Sequence, residues 1–196
     1  MTRRLFIQLT ALILLVALVA GGCGPASRAE RRTAPPAGPV RNLGPVARGN
    51  ACRVHGALPD LACTPGAVYA NANRAAICRR GYARRERKAH GPSFKQRTAI
   101  YRAYAITRRF TGASGEVDHS VPIALGGAST PANLWPEAAP LSHRKDTLEA
   151  FLAHEVCAGH IALTDAQRQI AQEWQTAYER YRGRGIERFA RRHAVP

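Results

Sequence analysis

The chain has 196 residues, a formal net charge of +16 and a pI near 10.9, enough for about one globular domain with extensions and too little for a multidomain assembly. At 45% hydrophobic and 21% charged, it is neither a wholly disordered chain nor a polytopic membrane protein. Only 13 acids stand against 29 Lys and Arg, an imbalance that points to a polyanionic partner (nucleic acid, acidic polysaccharide or anionic lipid) without choosing among them.

Arg3 and Arg4 precede an almost unbroken apolar run from Leu5 to Ala20, and Gly21, Gly22 and Cys23 follow at once. Residues 1–22 therefore read as a lipoprotein-type export signal. The run is short for a transmembrane span, and a small-small-Cys ending is the form lipoprotein signal peptidase takes, so Cys23 is expected to carry lipid and anchor the chain to a membrane. Ala20 stands where leucine is commonest, which leaves ordinary cleavage or an uncleaved anchor as alternatives. Residues 23–50, with Pro25, Pro35, Pro36, Pro39 and Pro45 among arginines and no apolar period, read as a disordered Pro/Arg-rich tether that can lie on anionic headgroups.

The folded part is expected from Ala51. In an oxidising compartment Cys52, Cys63, Cys78 and Cys157 imply two disulfides, for which three pairings exist. A zinc site from Cys52, His55, Cys63 and Cys78 is the weaker reading, because no CxxC pair is present and exported thiols oxidise. Residues 51–95 form a cysteine-containing basic segment whose densest block is Arg79, Arg80, Arg84, Arg85, Arg87 and Lys88.

Apolar spacing predicts three helices. Ile100, Tyr101, Tyr104 and Ala105 mark one at 95–108; Leu148, Phe151, Leu152 and Val156 one at 143–157; Ile170, Trp174, Ala177, Tyr178 and Tyr181 one at 165–182. Their aromatic stripes read as core, not as base-stacking surface. Ser142 is the expected cap of the second, Thr164 with Gln167 the capping box of the third, and Gly159 the stop between them. Between the first two helices, Glu116 to Ile123 reads as a strand, Gly126-Gly127 as a turn and Asn133 to Pro136 as a second extended piece. Residues 183–196 read as a basic tail, in which Arg184, Arg188, Arg191 and Arg192 continue the charge of Arg180 and Arg182.

The chemistry concentrates between Glu116 and Asp146. Asp118-His119, Pro122, Gly126-Gly127, Asn133 and then His143 closely followed by Lys145 resemble, in spacing and order, the HNH endonuclease motif, or ββα-metal finger. Cys63-Thr-Pro-Gly, Ile77-Cys, Gly81-Tyr82, Ile100-Tyr-Arg-Ala-Tyr, Asn133-Leu-Trp-Pro, Val156-Cys-Ala-Gly and Ala166-Gln with Trp174 and Tyr178 extend the likeness over about 58–182. They are similar to small exported bacterial proteins carrying that finger. Ser120 and Ala124 stand where bulkier aliphatic residues are usual, and Arg79 to His90 is unusually basic. The resemblance implies an α+β fold: an HNH core at 96–182 with its C-terminal helix, packed with flanking helices and a disulfide-stapled N-terminal segment. Some members lack the cysteine matching Cys63 and keep those matching Cys78 and Cys157, which implies a Cys78–Cys157 bridge and leaves Cys52 with Cys63.

The resemblance also implies roles. His119 would be the general base, Asp118 and His143 would bind one divalent ion (Mg, Mn or Zn), Asn133 would ligate it or hold the loop, and Lys145 with Arg144 would contact phosphate. Strand alternation puts Asp118 and His119 on opposite faces, so the strand must bend or end there, and Pro122 interrupts pairing soon after. His55, His90, His154, His160 and His193 read as bystanders. Arg79, Arg80, Arg84 and Arg85 are candidate backbone contacts to nucleic acid, with no base-reading element beside them. The expectation is an exported, membrane-anchored, monomeric nuclease acting on DNA, with RNA as a second candidate substrate, without strong sequence specificity, an inhibitor protein being a further candidate partner. The alternatives are a catalytically inactive exported module that binds nucleic acid or another polyanion, and a cell-envelope lipoprotein whose charge serves surface contact.

Overall fold

The computed structural model describes residues 38–47, 51–107 and 115–193. The export signal at 1–22, Cys23 and most of the tether lie outside the described residues. Those described form a mixed α+β fold with six helices, two small antiparallel sheets and two disulfides. None of the described helices is long and apolar enough to cross a membrane.

The first correction falls on the tether. Val40–Asn42 is a strand, β1, paired antiparallel with β2 at Ala67–Tyr69, and Leu43 and Ala47 continue the contact through bonds to the carbonyls of Gly66 (2.8 Å) and Ala62 (2.6 Å). All three β1 side chains are exposed while β2 is wholly buried. Backbone hydrogen bonds therefore hold β1, and they leave no alternation in its sequence to read.

After α1 (Arg74–Ile77), Arg79 and Arg80 lie in the turn and α2 (Tyr82–His90) carries the rest of the first basic block, and α3 runs over Phe94–Ala103 behind a capping box of Ser93 and Gln96. Strand β3 (Gly115–His119) pairs antiparallel with β4 (Leu134–Ala138), Glu116 opposite Glu137 and Asp118 opposite Trp135. Two 3-10 turns, Ile123–Leu125 and Pro131–Asn133, fill the connection. Gly126 sits at φ 83°, and a Cβ on Gly127 would lie 1.8 Å from the Val121 carbonyl oxygen, so this turn needs both glycines.

Helix α4 spans Ala139–Ala158 and stops at Gly159; α5 spans Leu163–Arg182 and α6 Ile186–His193. The helix starts differ from expectation. Ser142 lies inside α4, its hydroxyl donating to the Ala139 carbonyl (2.9 Å). Pro140 at the start of α4 already takes the position where a missing N–H costs nothing. Likewise Ala162, with no side-chain bond, precedes α5, and Gln167 is buried with its amide on the Leu125 carbonyl (2.8 Å). The expected basic tail is mostly α6, whose Ile186 and Phe189 are buried and whose arginines form its outer face.

Two apolar clusters result. The larger joins α4, α5 and α6 through Leu148, Phe151, Leu152, Val156, Ile170, Trp174 and Phe189. The smaller packs Cys52, Ile100, Tyr101, Tyr104, Val117, Leu134 and Trp135. The bridges are Cys52–Cys63 and Cys78–Cys157, the pairing the resemblance implied. Cys78–Cys157 fastens the end of α1 to the end of α4, reinforced by Arg74 donating to the Cys157 carbonyl (2.8 Å).

A candidate active-site cleft

Strand β3 ends at His119, which resolves the alternation problem. Glu116 and Asp118 share one face, and His119, the last residue of β3 and still paired with Leu134, lines the same cleft. The cleft holds about 570 Å³ and is lined by Glu116, Asp118 and His119 from β3, Asp146 and Glu149 from α4, Arg87 from α2 and Arg97 from α3.

His119 is 7% exposed, with Nε2 2.9 Å from the Ser129 hydroxyl. Burial, helped by the charges of Lys145 and Arg87 and opposed by Asp118, pushes its pKa down to about 4. The ring is neutral at pH 7 and can take a proton. Ser129 is itself held, its carbonyl accepting from the Gln96 amide at 2.8 Å.

Asn133 is fully buried. Its Oδ1 accepts from the N–H of Val121 (2.7 Å) and of Ala67 (3.2 Å), and its amide donates to the carbonyls of Val121 and Ala128 (2.9 Å each). Every bond an amide side chain can make is spent on backbone. Of the two roles expected for Asn133, holding the loop is the one its bonds serve, and no atom is left for catalysis.

Lys145 is the largest departure from expectation. It is 1% exposed, and its ammonium donates to Asp118, to the His119 carbonyl (2.9 Å) and to Glu149 (2.6 Å), with Glu137 at 3.4 Å. Three donors have three acceptors, so none reaches out to a phosphate. Burial alone would lower its pKa, but Asp118, Glu149 and Glu137 hold it well above the ordinary value. Burial would raise Asp118; Lys145, with hydrogen bonds from Glu137 and Lys145, brings it down to about 2. Burial pushes Glu137 up to about 9 and Glu149 to about 7, against the pull of Lys145 and with Asp118 adding to the rise. Glu116 and Asp146 are raised by burial and by the negative charge of Asp118.

The two expected metal ligands differ in surroundings. Asp118 faces the cleft under the hold of Lys145, whereas His143 is exposed on α4 and does not line the cleft. Among the described residues no three His, Cys, Asp or Glu side chains converge as a metal set. Asp118 with His143 therefore does not fit a divalent ion as these side chains stand. Arg144 is exposed, 3.7 Å from Glu179 and over the ring of Tyr178, on the α5 side. Arg80 and Arg84 are exposed, and Arg79 and Arg85 line a different hollow beside Tyr69 and Tyr82.

Sequence reasoning named Arg87 only within a block and did not single out Arg97, Glu116, Glu137, Asp146 or Glu149. Glu116 stands two residues before Asp118 on a strand, and Asp146 and Glu149 stand three apart on a helix; those spacings were the available signal. No family model, no curated protein and no solved structure matches the chain.

Proposed function

We propose that the protein is an exported HNH-type nuclease that hydrolyses phosphodiester bonds of nucleic acid, DNA first, in the cleft at the end of β3. The observation that carries this reading is His119, a buried imidazole that lines a cleft beside Asp118. A base of this kind takes the proton from water as its oxygen attacks phosphorus and the bond to the leaving oxygen breaks. Arg87 and Arg97, both exposed at the cleft, offset phosphate charge, and Arg79 and Arg80 with the arginines of α2 and α6 extend the field along a backbone without reading bases. Dependence on a divalent ion is part of the proposal, although Asp118 lines the cleft and His143 does not. Lipid anchoring through Cys23, monomeric action and an inhibitor protein as partner are proposed with it.

A second reading has its own support. With Lys145 turned inward and Asp118 bound to it, the cleft also suits an inactive module that binds a polyanion. The deciding experiment is purified full chain with plasmid DNA, with EDTA or with added Mg²⁺, Mn²⁺ or Zn²⁺. Nicking that His119→Ala lowers by about 10²- to 10⁴-fold, in a protein still folded by circular dichroism, supports the enzyme. Tight, salt-sensitive DNA binding with no cleavage in any metal supports the module.

A further inference from the structure

The two ring nitrogens of His119 have different surroundings. Nε2 lies 2.9 Å from the Ser129 hydroxyl, and both residues are buried. Nδ1 has no hydrogen-bond partner among the described residues, yet it is not one of the buried polar atoms left bare, so it opens on the cleft that the ring lines. A neutral imidazole carries one N–H and one bare nitrogen, and the bond made by one nitrogen sets the state of the other. If the hydroxyl donated to Nε2, the hydrogen would sit on Nδ1, and the cleft would meet a donor that can take no proton. That bond would also have to break when the ring charges, because both nitrogens of an imidazolium are donors. With Nε2–H donating to Oγ, one bond serves the neutral and the charged ring alike.

Ser129 is fixed from two sides. Its carbonyl accepts from Gln96 Nε2 (2.8 Å), while Gln96 Oε1 accepts from the N–H (2.8 Å) and the hydroxyl (2.9 Å) of Ser93, so the capping box of α3 is tied to this loop. Its neighbour Ala128 donates to the Ala67 carbonyl (2.9 Å) and accepts from the Asn133 amide (2.9 Å). We infer that Ser129 is the positioning residue of His119: its oxygen takes Nε2–H, fixes the ring and leaves Nδ1 as the atom that accepts a proton in the cleft. The tautomer stands on these bonds alone; water as the source of the proton rests on the nuclease reading above.

The ring is read without substrate. Proton–nitrogen correlation spectra of purified, isotope-labelled full chain at neutral pH show which ring nitrogen carries hydrogen, the His119 signals being assigned by their loss in His119→Ala. The wild type is expected to be Nε2–H, and Ser129→Ala a mixture of both tautomers, since the bond that selects one is gone. Where Ser129→Ala does not fold, Ser129→Cys, whose sulfur is a weak acceptor, is read in its place. On DNA, Ser129→Ala should lose about 10- to 100-fold in kcat with KM nearly unchanged, the effect of shifting a reacting group by about 1 Å. An Nδ1–H ring in the wild type, or a Ser129→Ala ring that keeps the wild-type form alone, overturns the assignment whatever the rates. Equal kcat in Ser129→Ala and a wild type that cleaves overturns it too. A chain that shows the expected tautomers and cleaves nothing keeps Ser129 as the residue that sets the ring, and sinks the nuclease.

Discussion

Helix α4 has two halves that bury opposite chemistry. In its first half Lys145 sinks among Asp118, Glu137 and Glu149, so that the interior beside the cleft is a charge network. From its midpoint on, Leu148, Phe151, Leu152 and Val156 enter the apolar cluster shared with α5 and α6, where the ring of Phe151 lies 5.1 Å from that of Tyr181 and 5.7 Å from that of Phe189. Burial in the second half is rewarded for every apolar atom removed from water. In the first half it is tolerable only while each charge keeps its partner. The stable end thus anchors the helix, and the charged end spends that stability on fixing the backbone carbonyl and the strand end next to His119.

Breaking one partner should show the contrast at its largest. Lys145→Ala leaves Asp118 and Glu149 uncompensated and is expected to cost about 3–5 kcal/mol in urea unfolding. Adding Asp118→Asn and Glu149→Gln to that variant should recover part of the loss, because the stranded charges are then gone. A cost below about 1 kcal/mol would be that of an exposed pair and would put the ammonium in water.

In the other half, Leu152→Ala should cost about 2–5 kcal/mol by leaving a cavity. Its cost should be the same in low and high salt, since no charge is involved. A salt-dependent cost would mean that the two halves are not separable.

The same contrast explains what the sequence made legible. Apolar period found α4 and α5, and Gly126, Gly127 and Gly159 marked turn and stop, because each is a local requirement of backbone or face. The cleft position of His119 followed from one local fact, the strand ending at that residue. Lys145 was misread because its letter gives a charge and not its burial, and its three acceptors come from β3 and from the next turn of α4. Strand β1 escaped for the converse reason, being exposed on every side chain and held by backbone alone. Five arginine and histidine letters around Ile186 and Phe189 disguised α6 as a tail, although those two apolar residues stand three apart on one face.

The smallest expected effect is the most diagnostic of the cleft's environment. An ordinary imidazole titrates near 6.5, whereas burial holds His119 at about 4. If His119 is the base, cleavage at pH 5.5 should stay within about a factor of two of its value at pH 7, where an unshifted imidazole would lose about tenfold. Stability should move with it. Between about 6.5 and 4 the unfolded chain takes up a proton that the folded His119 refuses, so stability falls as pH drops through that window. His119→Ala removes that share of the fall, provided Asp118 and Glu149 keep their partners. An acid limb at 6.5 in the rate profile would place His119 in contact with bulk water, and would overturn burial as the reason its ring stays neutral in acid.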